Sequence, residues 1–144
     1  MLIGEIYAFN ILIMDLLKIF KSDTNGIRRS HLKNLICVAM ADGHLDEGEW
    51  EMVKSIARLM EITEEEIETI RKNPDAVSFV PPRRYEDKVE QIQDLVSLMT
   101  IDGEINAREL ELCKKISLRL DILPQIVDQV LEEMSSHGTN NANS

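Results

Sequence analysis

A nine-residue acidic phrase occurs twice in this 144-residue chain, sixty positions apart. The first copy, residues 41–49, reads Ala-Asp-Gly-His-Leu-Asp-Glu-Gly-Glu. The second, residues 101–109, reads Ile-Asp-Gly-Glu-Ile-Asn-Ala-Arg-Glu. Both have the form Asp-Gly-x-apolar-x-x-x-Glu, and each follows an apolar run with helical spacing. The flanks keep the same register. The stripe Leu32, Leu35, Ile36 and Ala39 returns as Ile92, Leu95, Val96 and Met99. Trp50, Val53, Ile56, Ala57 and Met60 return as Leu110, Cys113, Ile116, Ser117 and Leu120. Ile62, Ile67 and Ile70 return as Ile122, Val127 and Val130. A repeat that never slips over this length argues for two copies of one helical unit that share a core.

The element boundaries follow from local chemistry. Residues 31–41 are apolar over most of a helix circumference, which predicts a buried helix. Asp42-Gly43 ends it, since glycine tolerates the left-handed conformation that follows a helix. Asp46 opens a helix to about Met60, and Thr63-Glu64-Glu65-Glu66 has the form of a capping box for a third. Asn73-Pro74 and Pro81-Pro82 break helix, so residues 73–84 form a connector, anchored by Val77, Phe79 and Val80. Helical pattern resumes near Arg84, Asp102-Gly103 ends it, Asn106 opens the next helix, and a last one spans about Leu123 to Met134. The predicted fold is all-α and multihelical, one domain over residues 30–134, with repeat halves of about 30–72 and 85–134. Residues 135–144 are polar and predict a disordered tail that includes His137.

The N-terminus is strongly apolar, with Leu2, Ile3, Ile6, Phe9, Ile11, Leu12, Ile13, Leu16, Leu17, Ile19 and Phe20 in the first twenty residues. Glu5, Asn10 and Asp15 interrupt it, and no positive charge precedes it. It fails as a signal peptide and as a membrane span. Residues 1–29 read as a helix and connector, with the helix packed on the body. Met14 also resembles a natural start, which would make residues 1–13 an over-long reading.

Net charge is −10, which disfavours nucleic acid and acidic lipid and favours cations or basic partners. Arg28-Arg29 and Arg83-Arg84 read as solvated loop charges. Aromatics make up 4 % of the chain, so the core must be aliphatic, with seven Met to fill gaps. Cys37 and Cys113 fall within apolar runs as small buried hydrophobes, and no Cys/His spacing suits zinc. Glu-x-x-His pairs and phosphate-binding glycine loops are absent, and His31 and His44 lack a nearby Ser or Cys, so the reading is non-enzymatic.

The acidic turns admit two explanations. Set against a calcium-binding EF-hand loop, Asp42, Gly43, Leu45, Asp46 and Glu49 fall on its fifth, sixth, eighth, ninth and twelfth places. Val38 and Met40, or Leu98 and Thr100, then occupy the first and third, so a complete EF-hand is rejected. One half-site completed by the other remains. Alternatively, Asp46-x-x-Glu49 and Asn106-x-x-Glu109 are capping boxes that need no metal. Asp42 and Asp102 are harder to explain so. A carboxylate at a helix C-terminus is disfavoured by roughly 0.3–1 kcal/mol. Two such charges about 5 Å apart would repel by roughly 3 kcal/mol at an effective dielectric of 20. A shared cation would relieve both penalties, as would solvent exposure of separate turns. Oxygen ligands without His or Cys suit Ca²⁺ or Mg²⁺.

The segments Leu35-Ile36-Cys37-Val38-Ala39-Met40-Ala41-Asp42-Gly43-His44-Leu45 with Glu49, and Leu95-Val96-Ser97-Leu98-Met99-Thr100-Ile101-Asp102-Gly103-Glu104-Ile105 with Glu109, resemble the TerB family of tellurite-resistance-associated helical domains. The resemblance covers about residues 30–134. It implies two central antiparallel helices related by a pseudo-twofold axis, and an acidic cluster that binds a divalent cation, calcium in particular. By motif position the implied ligands are Asp42, Glu49, Asp102 and Glu109, with Asp46 and Asn106 as weaker neighbours. It also implies a role in stress or metal-ion resistance. The resulting expectation is a cytoplasmic, cation-responsive binding or scaffold module with an unidentified protein partner. Its first rival is a metal-free module presenting an acidic face to a basic partner. Its second is a hydrolase using a carboxylate-bound metal, for which no substrate-positioning residues are present.

Overall fold

Helix α1 runs unbroken from Leu2 to Ala39 in the computed structural model, which describes residues 2–140. It is followed by α2 (Glu47–Leu59), α3 (Glu64–Lys72), a 3-10 turn (Pro74–Ala76), α4 (Tyr85–Met99), α5 (Ala107–Arg119) and α6 (Gln125–Asn140). The all-α class is as the sequence predicts. The bounds of α2 and α5 sit sixty residues apart at both ends.

The C-terminal part of α1 packs on α4, and this pair is the centre of the molecule. Leu32, Leu35, Ile36, Val38 and Ala39 from α1 and Ile92, Leu95, Val96, Leu98 and Met99 from α4 are buried together. Helices α2 and α3 cover one side, and α5 and α6 cover the other. Every position of the two sequence stripes therefore faces one aliphatic core, the cheapest place for side chains of that shape. The connector behaves as predicted. Val77 and Phe79 lie against the core, with the Arg119 guanidinium 4.0 Å from the centre of the Phe79 ring. Ser30 Oγ accepts the Val80 amide at 2.9 Å, and Lys33 Nζ donates to the Val77 carbonyl at 2.9 Å.

The turns that follow α2 and α5 both pass through a non-glycine residue in the left-handed region, Glu61 (φ 60°) and Asp121 (φ 59°). Each is closed by a backbone bond from Ile62 to Ala57 or from Ile122 to Ser117. Ser117, fully buried, also donates to the Ile122 carbonyl at 2.8 Å.

Four expectations need correction. The stretch expected to link the N-terminal helix to the domain before residue 30 is helical, because no Pro interrupts it and the buried helix from Ser30 onward simply extends backwards. Packing of the N-terminal helix on the body does not hold for Ile6, Phe9, Ile11, Leu12, Ile13 and Met14, which are exposed. The tail is helical as far as Asn140, extending α6, with Ser136 Oγ donating to the Glu132 carbonyl at 2.9 Å; residues 141–144 lie outside the described residues. Finally, the central helices are not antiparallel. Asn106 Nδ2 donates to Asp42 Oδ2 at 3.3 Å, so the turns that end α1 and α4 meet on one side. An antiparallel pair would place them at opposite ends. Cys113 is buried, and its thiol is pushed up to about 12 by burial; Cys37 is only half-buried.

Candidate functional site: an acidic cleft between two turns

Gly43 (φ 77°) and Gly103 (φ 83°) reverse the chain after α1 and α4. Positive φ is costly for a residue with a Cβ, so glycine is required at both points. The preceding aspartates hold the turns: Asp42 Oδ1 accepts the His44 amide at 2.9 Å, and Asp102 Oδ1 accepts the Glu104 amide at 3.1 Å. Each chain then enters its next helix through a capped start. Asp46 Oδ1 accepts the Glu49 amide at 3.0 Å, and Asn106 Oδ1 accepts the Arg108 and Glu109 amides at 2.8 and 3.2 Å.

These local devices bring the two acidic phrases to one cleft of about 410 Å³. Six acidic side chains line it, Asp42, Asp46, Glu49, Asp102, Glu104 and Glu109, together with His44, Asn106, Ile105 and Ala107. All six sequence-predicted site residues are here. The described lining contains no Lys or Arg.

Glu49 and Glu109 form its floor, 3 % and 4 % exposed. The capping-box reading would turn each carboxylate back to its N-cap amide. Glu49 Oε2 instead is buried with no hydrogen-bond partner. Capping thus accounts for Asp46 and Asn106 but leaves Glu49 unexplained. The two glutamates lie within hydrogen-bonding reach of each other. Burial pushes Glu49 up to about 7, helped by the charges of Glu109, Asp46, Asp102 and Asp42. Burial likewise pushes Glu109 up to about 7, with Asp42 and Asp102 adding to it, and the bond to Glu49 opposing it. Near neutrality this floor holds protons that an ordinary glutamate would have lost.

One difference between the halves is a hydrogen bond across the cleft. Asn106 reaches across to Asp42, whereas its counterpart Asp46 has no N–H to offer Asp102. Asn106→Asp should therefore remove a hydrogen bond to a charged group and add a like charge beside Asp42. The expected cost is about 1.5–3 kcal/mol without divalent cations at pH 8, read by urea unfolding. A neutral result would mean that the bond to Asp42 contributes nothing.

Among the described residues no three His, Cys, Asp or Glu side chains converge closely enough to make a ready-made metal site. The donor chemistry nevertheless fits a hard cation: carboxylate and amide oxygens, one of them buried and unpaired, with no Lys or Arg in the described lining.

Sequence reasoning missed a second polar feature. His31 Nε2 meets Asp94 Oδ2 at 2.7 Å between α1 and α4, with His31 only 4 % exposed. The repeat register carried the signal, because His31 corresponds to Gln91 and Asn34 to Asp94. All four sit among apolar stripe residues, and His31, Asn34 and Gln91 are buried.

The fold and cleft thus define an all-helical domain with paired glycine turns delivering carboxylates to one surface. Residues 12–72, which contain the first turn and the helices around it, match the family described as tellurite resistance protein TerB. The similarity to this family spans 61 of the 144 residues. No curated protein and no solved structure matches it.

Proposed function

We propose that this TerB-like domain is a non-enzymatic divalent-cation-binding module, with calcium as the first candidate and magnesium as the second. One observation carries the reading: a buried, unpartnered carboxylate oxygen on Glu49, at the floor of a cleft with six acidic side chains. An arrangement of that kind costs stability in the absence of a counter-charge. Asp42, Glu49, Asp102 and Glu109 are the proposed ligands, with Asp46 and Asn106 beside them. Water would complete the shell, since Ca²⁺ takes six to eight oxygens in flexible geometry. The cation would draw together carboxylates that repel one another in its absence. In the cell the module would serve as a cytoplasmic, cation-responsive scaffold associated with stress or metal resistance.

A thermal-shift panel over Ca²⁺, Mg²⁺, Mn²⁺ and Zn²⁺ tests this. Saturation at 100 times Kd adds about 2.7 kcal/mol, a rise of roughly 10 °C for a domain of this size. Asp42→Ala/Asp102→Ala should lose the shift and remain folded. The rival reading, an acidic face for a basic partner without metal, is favoured by the lack of a ready-made ligand set. It is the one to adopt if no divalent cation shifts the transition and the chain instead retains a basic peptide in a salt-sensitive manner.

A further inference from the structure

Helices α1 and α4 run the same way, so the level of Arg28 on α1 and the start of α4 lie at one end of the pair. Both are about 16–21 Å from the glycine turns, at 1.5 Å per residue. A second cleft, of about 510 Å³, opens at this end. Its lining includes Ile27, Pro82, Arg28, Arg83, Arg84 and Asp87. Three arginines against one aspartate in the described lining reverse the balance of the whole chain, which has 16 basic and 26 acidic residues. Lys21 and Asp23, one turn upstream on α1, carry one charge of each sign and leave that balance unchanged.

The positive charge is only weakly compensated. Arg84 meets Glu86 at 3.6 Å, but both side chains are 72 % exposed, where water screens an ion pair. Arg28 Nη1 donates to the Met60 carbonyl at 3.4 Å, a neutral acceptor that holds the side chain without cancelling its charge. The rest of the wall is apolar. Pro82 is buried and Ile27 partly buried. Arginine lays its carbon stem along such surface and keeps its charged fork at the edge. A concave space of this size, apolar with a few convergent charges, has the build of a small-molecule site.

We propose that this cleft binds a small organic anion, its apolar body against Ile27 and Pro82 and its phosphate or carboxylate head on Arg28 and Arg84. A guanidinium fork matches the oxygens of either head two at a time. An inorganic anion would leave the apolar wall wet, and a neutral apolar molecule would leave the arginines unused. An organic cation is repelled. The site lies at the far end from the acidic cleft, so it stands whether or not that cleft takes a divalent cation.

Amide chemical-shift titration of the full chain at pH 7 with phenyl phosphate and with benzoate tests the proposal. Inorganic phosphate and phenol probe the head and the body alone. Phenyl phosphate or benzoate should saturate with a Kd below about 1 mM, moving the amides of residues 24–28 and 83–87 and not those of 42–49 or 102–109. Inorganic phosphate and phenol should each bind at least about tenfold more weakly. Arg28→Gln/Arg84→Gln should weaken binding at least about tenfold. Arg84→Glu should do the same at an exposed position outside the core, with the parent's urea midpoint, so lost binding there is not lost folding. The proposal is overturned if neither organic anion gives a saturable shift by about 10 mM, if the shifts map elsewhere, or if binding survives Arg84→Glu. Inorganic phosphate binding as tightly as phenyl phosphate overturns it too, because the apolar wall would then contribute nothing.

Discussion

Raising the pH from 5 to 8 without divalent cations is expected to lower the unfolding free energy by about 5 kcal/mol. Glu49 and Glu109 are both pushed up to about 7 when folded, from an ordinary value of 4.5. Between those limits the folded state holds protons that the unfolded chain has released. Stability therefore falls as pH rises, and the contribution present below pH 4.5 is gone above about pH 7. Most surface carboxylates act in the opposite direction, so the sign is diagnostic. Urea titrations at pH 5, 6, 7 and 8 in chelator would measure it. Glu49→Gln/Glu109→Gln keeps the shape and removes the titration, so its stability should be flat over this range and higher than the parent's at pH 8. It should also fail to respond to calcium. A parent chain more stable at pH 8 than at pH 5 in chelator would show that the two glutamates are not held against their charge. With saturating calcium the slope should shrink or reverse, because ionised carboxylates are then the bound form.

Leu35→Ala and Leu95→Ala should each cost about 2–5 kcal/mol, and by similar amounts. Both side chains are fully buried, at equivalent positions of the central helices α1 and α4. Each deletion opens a cavity in the same aliphatic cluster. Unfolding should stay a single cooperative transition, since neither half has a core of its own. Urea midpoints with unchanged slopes would bear this out. A variant that lost only one helix pair in a separate early transition would mean that the halves fold independently.

Much of this architecture was legible because its determinants are local or periodic. The starts of α2, α3 and α5 follow from Asp46, Thr63 and Asn106, whose side chains each accept an amide two or three residues on. The ends of the central helices follow from Gly43 and Gly103. The core follows from a 3.6-residue stripe written twice. The left-handed residues Glu61 and Asp121 were not legible, because glycine marks such a turn and none stands there. There the backbone is held by bonds from Ile62 and Ile122 to residues five positions back.

The length of α1 shows a different limit. An apolar run can mean a buried helix, a membrane helix or an unpartnered stripe, and periodicity alone does not distinguish them. The tail shows a related limit: polar residues without proline extend a helix that is already anchored, here as far as Asn140. The site residues were found by motif, but whether Glu49 and Glu109 were caps or free carboxylates was undecidable from spacing, since both uses demand Glu at that place.

By itself the sequence determined the helical class, the two glycine turns, the membership of the core and the identity of the acidic residues, because each depends on neighbours within a turn or two of helix. Only the tertiary structure decided that α1 and α4 end on the same side. That choice places charges sixty residues apart around one cleft, and buries two of them where water no longer screens the rest.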